Sequence, residues 1–172
     1  RTGLTERQVD EMLLSRYRGS WLSPGNPGEQ LDARLLAIRE WVHVTSSYAC
    51  PACLEEDGYW RLAWKLPWSA ACVRHKSLLL SRCPQCDLRL ASGKPKATGM
   101  PTVMRAIPEP LLCENTHPDS VGGQKRICGA ELTEVGVEYL DDYPHLLAAQ
   151  RIIDRDLARA PDEKTHEQWA RR

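Results

Sequence analysis

Seven cysteines and one histidine carry the most distinctive chemistry of this sequence. Cys50-Pro51-Ala52-Cys53 and Cys83-Pro84-Gln85-Cys86 are two C-x2-C units, and Cys72-Val73-Arg74-His75 lies between them with the same two-residue gap. Such a gap lets a tight turn aim both side chains at one cation, at about 2.3 Å for Zn–S and about 2.0 Å for Zn–N. The first four-ligand set is therefore Cys50, Cys53, Cys72 and His75, spaced C-x2-C-x18-C-x2-H. For Cys83 and Cys86 only Cys113 and Cys128 remain, spaced C-x2-C-x26-C-x14-C, with His117 open as a replacement for Cys113. Seven thiols are odd for a disulfide framework. Joined by His75 they make two complete tetrahedra, so two structural Zn²⁺ per chain are expected.

Other chemistries fit less well. Four thiolates suit an iron–sulfur cluster, but the first set has a histidine and its spacing matches no common cluster pattern. A catalytic zinc keeps one position open for water, whereas both sets are complete at four. A nucleophilic dyad of Cys72 and His75 needs both side chains free, and the first set claims them. His43, His145 and His166 stand alone and are expected at the surface. Glu55, Glu56 and Asp57 are expected as a solvated turn rather than an acid–base pair. No enzyme is expected.

The elements that must position these ligands are short. Residues 1–45 are expected to be helical. Thr5 and Gln8 make a capping box, Leu4 and Val9 have staple spacing, and a helix from about Glu6 to Arg16 carries Val9, Met12 and Leu13 on one face. Ser23-Pro24-Gly25-Asn26-Pro27-Gly28 breaks the chain before a second helix, from about Glu29 to Glu40, striped by Leu31, Leu35, Ile38 and Val42. The pair is expected to pack rather than to read DNA as a helix–turn–helix. From Trp60 to Trp68 every second residue is Trp or Leu, which predicts a strand lying in the 18-residue gap of the first set. Its tryptophans are expected to fill the core rather than to stack on single-stranded nucleic acid.

Residues 93–127 form a loop-rich insert punctuated by Gly and Pro. Asp142 is placed to cap a closing helix from about Tyr143-Pro144, with Leu146, Ala149, Ile153 and Leu157 down one side. A charged tail follows from Pro161. The fold class is thus a small zinc-stabilised α+β chain in four parts. These are a helical region over 1–45, a zinc ribbon with three cysteines and a histidine over 46–82, a four-cysteine zinc module over 83–140, and a helix with tail over 141–172.

Composition agrees with a metal-stabilised fold. The 172 residues include no Phe, 12 Pro and 11 Gly, thin material for a large apolar core. No apolar run approaches the ~20 residues of a spanning helix, and no export signal is evident, so a reducing cytoplasm is the expected compartment and no membrane an expected partner. The chain begins with Arg1-Thr2-Gly3 rather than Met, which is expected of a fragment.

The joined motif string resembles the TniQ family. The resemblance runs through Cys50-Pro51-Ala52-Cys53-Leu54-Glu55-Glu56-Asp57, Trp60-Arg61-Leu62-Ala63-Trp64 and Cys72-Val73-Arg74-His75. It continues through Leu78-Leu79-Leu80, Cys83-Pro84-Gln85-Cys86 and Leu90. It resumes at Cys128-Gly129-Ala130-Glu131-Leu132 and at Ala149-Gln150, and Thr2-Gly3-Leu4-Thr5 is similar to the segment preceding the family's zinc region. The stretch between Cys86 and Cys128 is longer and richer in proline than expected of the family, and a start at Arg1 without the family's further N-terminal helical sequence is expected of a fragment or of an unusually short member. The resemblance implies an accessory protein of DNA transposition that joins target recognition, by DNA or by an RNA-guided complex as in CRISPR-associated transposons, to a AAA+ ATPase regulator and the transposase. A homodimer is compatible with it.

Charge separates that adaptor from its alternative, a zinc-ribbon DNA-binding module or transcription factor reading sequence directly. Basic and acidic residues number 23 each, and two loaded zinc sites would take the formal charge from zero to about −3. Arg1, Arg7, Arg16, Arg18 or the Lys94/Lys96 loop can supply a local basic patch, but no long basic stripe is present. Phosphate binding depends on many Lys and Arg contacts, so the adaptor is the expected function and DNA contact is secondary.

Overall fold

The computed structural model describes residues 41–90, 109–119 and 126–158 continuously, together with Gly3, Thr5, Gln8, Val9, residues 12–17, Leu36 and Ala37. Two α-helices, α1 (Pro51–Asp57) and α2 (Pro144–Ala158), flank an antiparallel pair, β1 (Ala71–Cys72) and β2 (Ser77–Leu78), in register Ala71↔Leu78 and Cys72↔Ser77. Two 3-10 turns, Leu14–Tyr17 and Leu62–Lys65, are also formed among the described residues, and Gln8, Val9, Leu36 and Ala37 are helical. This is a small α+β fold with two cysteine-rich clusters at its centre.

α1 starts where Pro51, with no N–H to lose, occupies the first turn, and it stops at Gly58, whose φ of 68° lets its N–H reach the Leu54 carbonyl. It buries Cys53 and Leu54 completely. Around it lies one core that contains ligands of both sets: Cys50, Cys53 and Cys72 with Cys83, Cys86 and Cys113, packed with Leu54, Trp64, Leu79, Leu90 and Leu132. A second cluster joins the N-terminal region to the end of α2 through Tyr17, Leu36, Val42, Leu66 and Leu157.

The expected strand from Trp60 to Trp68 does not form. Backbone groups there bond locally, Trp64 N–H to the Arg61 carbonyl and Leu66 N–H to that of Ala63, and wind the chain into the 3-10 turn Leu62–Lys65. Pro67 has no donor for a ladder. The alternation belongs instead to a turn that buries Trp64 and Leu66 and leaves Trp60, Leu62 and Trp68 half-buried. The tryptophans do serve the core. Trp60 and Trp64 meet edge to face at 6.3 Å, and Trp60 Nε1 donates to the Pro110 carbonyl at 2.9 Å.

Two other expectations need correction. The Thr5–Gln8 capping box is present, with Thr5 N–H donating to Gln8 Oε1 at 2.8 Å and Gln8 N–H to Thr5 Oγ1 at 3.3 Å. The helix it opens does not run on smoothly, however. Met12 and Arg16 bond three residues back, a tighter winding that turns Val9, Met12 and Leu13 outward and Tyr17 inward. Within α2 the buried face is Leu147, Gln150 and Leu157, while Leu146 and Ala149 face solvent. Gln150 explains the rotation, because its Oε1 accepts the N–H groups of Ala70 and Ala71 at 3.0 and 3.2 Å and seats the helix on β1 by a polar residue. Leu31, Leu35, Ile38, the proline-rich turn before them, residues 91–108 and 120–125, His166 and the charged tail lie outside the described residues.

Candidate metal centres

The first set is gathered by a helix and a hairpin. α1 presents Cys53, and Cys50 precedes it in extended conformation. The β1–β2 turn presents Cys72 and His75, and is closed by Lys76 at a φ of 49°. Cys53 and Cys72 sulfurs stand 3.6 Å apart, and His75 Nδ1 lies 3.4, 3.3 and 3.5 Å from the sulfurs of Cys50, Cys53 and Cys72. The second set is gathered by two turns. Cys83 and Cys86 flank a turn closed by Asp87 (φ 51°), and Cys128 is followed by Gly129 (φ 68°), whose N–H bonds the Cys113 carbonyl at 2.9 Å. Cys83 and Cys128 sulfurs are 3.8 Å apart, as are those of Cys86 and Cys113.

These distances test the sets against zinc. In a tetrahedron with Zn–S near 2.3 Å and Zn–N near 2.0 Å, neighbouring sulfurs are separated by about 3.8 Å and a sulfur and nitrogen by about 3.5 Å. Both sets match those edges, and the ligand atoms of each lie within 4.8 Å of one another. All seven cysteines are free thiols. The structure therefore places Cys50, Cys53, Cys72 and His75 together, and Cys83, Cys86, Cys113 and Cys128 together. His117 is elsewhere: its Nδ1 accepts the Asp119 N–H at 3.3 Å.

Burial and mutual hydrogen bonding shift the thiols of both sets. A hydrogen bond from Cys72 lowers the Cys50 thiol to about 4, while that same contact with Cys50, aided by burial, pushes Cys72 up. Burial, with the Cys50 charge behind it, raises Cys53. Crowded thiols thus share protons and cannot all ionise unless a positive charge sits among them. In the second set burial raises Cys113 and Cys128. Burial also works against Cys86 ionising, yet hydrogen bonds from the Leu88 N–H and the Asn115 amide outweigh it and its thiol falls below the usual range. The donor chemistry, three or four soft sulfurs with at most one imidazole, fits zinc.

Three residues around the sets were not legible in the sequence. Asn115, only 2 % exposed, points Nδ2 at Cys86 Sγ (3.6 Å) and at the Arg89 carbonyl (3.0 Å). Glu56 and Asp57, expected as a solvated turn, face Arg74, Arg61 and His75 instead. Their i+3 and i+4 spacing from Cys53 on one helix was the available signal. His43 is not a plain surface residue either. Its Nε2 is 3.0 Å from the Tyr48 hydroxyl, and burial lowers its pKa. His145 is exposed as expected.

The chain is a small α+β fold whose core gathers two four-residue sets, each of which could hold a metal ion and is compatible with zinc. The model of the TniQ family matches residues 1–79, a segment that holds the whole first set. That family is associated with transposition. No curated protein and no solved structure matches the chain. Among the described residues no helix is long and apolar enough to cross a membrane.

Proposed function

We propose that this chain is a non-catalytic zinc-binding adaptor of DNA transposition, which links target recognition, by DNA or by an RNA-guided complex, to a AAA+ ATPase regulator and the transposase. Cys50, Cys53, Cys72 and His75 hold one Zn²⁺ and Cys83, Cys86, Cys113 and Cys128 a second, in tandem zinc-ribbon-like modules. The observation that carries this reading is the coincidence of the family match over residues 1–79 with a four-ligand set of zinc dimensions inside it. A zinc ion held by four protein atoms supplies a cross-link and no open coordination position, so its contribution is to shape the surface that partners meet. The balanced charge supports a protein partner over a long DNA footprint.

Two measurements test it. Metal analysis of the purified chain should return two zinc ions per chain, and none would end the zinc reading. Association with the ATPase should persist between about 50 and about 200 mM salt, because a packed interface loses little to screening. A protein resting on six to ten phosphate contacts would lose about 10³–10⁵ in affinity over the same range. Tight, sequence-selective, salt-sensitive duplex binding with no ATPase association would replace the adaptor by the direct DNA reader.

A further inference from the structure

We propose that Glu56 orients His75 for the first metal, and that Arg74 holds Glu56 in place to do so; the inference rests on zinc occupying that set. The two nitrogens of His75 have different neighbours. Nδ1 faces the three sulfurs at 3.3 to 3.5 Å, whereas Nε2 lies 3.2 Å from Glu56 Oε2. A neutral imidazole that gives the lone pair of one nitrogen to a metal carries its proton on the other. Nε2–H is therefore the donor and Glu56 the acceptor, which fixes both the tautomer and the rotation of the ring.

Glu56 is itself held. The same Oε2 accepts Arg74 Nη2 at 2.7 Å, Arg74 Nη1 reaches Asp57 Oδ1 at 3.3 Å, and Asp57 Oδ2 accepts Arg61 Nη2 at 2.6 Å. Local structure makes this arrangement. Glu56 follows Cys53 by three residues on α1, so ligand and carboxylate share a helix face. Arg74 immediately precedes His75 in the β1–β2 turn. Helix and hairpin are thus joined twice over, once through the ligand atoms and once through the Glu56–Arg74 ion pair. Arg74 also brings positive charge next to a centre of three thiolates, which stays net negative with zinc bound.

The test uses the full zinc-loaded chain and four forms of it: wild type, Glu56→Ala, Glu56→Gln and Glu55→Ala. Glu55 is exposed on the same helix and serves as the matched control. Zinc departure to a chelator should be about 10–100-fold faster in Glu56→Ala, should return most of the way to wild type in Glu56→Gln, which keeps an acceptor oxygen, and should be unchanged in Glu55→Ala. Cadmium-113 substitution separates the resonance of the mixed cysteine–histidine set from that of the all-cysteine set, and should assign the faster exchange to the first. The His75 Nε2–H signal should persist against solvent exchange in wild type and Glu56→Gln and vanish in Glu56→Ala, a change that loosening of α1 alone would not make selective. Unchanged zinc release with a persistent Nε2–H in Glu56→Ala would overturn the proposal, as would equal acceleration in Glu55→Ala. A wild-type chain without metal in the first set would overturn the zinc reading and this inference with it. A loaded wild type indifferent to Glu56→Ala would overturn this inference alone.

Discussion

Asn115 shows how one uncharged side chain can tune a thiolate. It is buried and offers Nδ2 to Cys86 Sγ and the Arg89 carbonyl, while its backbone carbonyl accepts the Cys128 N–H at 2.8 Å. One residue therefore braces both halves of the second set, between the Cys83–Cys86 turn and the Cys113–Cys128 pair. Asn115→Asp is nearly isosteric but removes the donor and sets a negative oxygen beside a site already rich in negative charge. Zinc affinity of the second set should fall by about 10–100-fold, read by chelator competition. An unchanged affinity in Asn115→Asp would show that no donor is needed there. The grouping of the cysteines and His75 into two sets was legible because a two-residue gap is a local, geometric signal. Asn115, Glu56 and Arg74 were not, because hydrogen bonds across sequence gaps leave no periodic trace, and an acidic triplet looks the same whether solvated or engaged.

Elements follow the same division between local and distant causes. The capping box of Thr5 and Gln8 and the extent of α2 could be read from sequence, since caps and helix starts are set by neighbours. The Trp60–Trp68 segment could not, because alternation describes which residues are buried and not how the backbone bonds; a strand needs a partner, and here Trp64 and Leu66 bond back to their own turn. The facing of α2 was misleading for a related reason. Of the stripe Leu146, Ala149, Ile153 and Leu157, the last two do pack on the second cluster while the first two face solvent, because that half of the helix docks through Leu147 and Gln150, whose two accepted hydrogen bonds satisfy Ala70 and Ala71. Gln150→Leu should leave the Ala71 donor buried without a partner and cost about 1–3 kcal/mol of docking. Hydrogen exchange should quicken at the Ala70 and Ala71 amides and along α2, with Gln150→Glu, which retains an acceptor, closer to wild type. Protection unchanged in Gln150→Leu would mean that Leu147 and Leu157 suffice.

At the scale of the whole molecule the two sets are not independent. Ala49 and Leu80 exchange backbone hydrogen bonds at 2.9 and 2.7 Å, tying the residue before Cys50 to the segment that leads to Cys83. The Leu90 carbonyl accepts the Ser47 N–H at 3.1 Å, and Trp60 Nε1 reaches across to Pro110, three residues before Cys113. Ligands of both sets consequently lie in one core with Leu54, Trp64 and Leu90. If both sets hold zinc as proposed, metal binding and folding form one equilibrium in so small a chain. Losing the first metal would leave crowded, partly ionised thiols facing one another in the core that the second set needs. Cys53→Ser should therefore lower zinc content by more than one ion per chain, and should flatten the near-UV circular dichroism to which Trp60 and Trp64 contribute. A chelator added to the wild type should remove both ions in one cooperative transition. Separate steps in the wild type, or a Cys53→Ser chain that keeps one full equivalent of zinc in a native four-thiolate environment, would show two metal sites that merely share a chain. One transition would mean that any partner surface built across these modules appears and disappears as a unit with the metals.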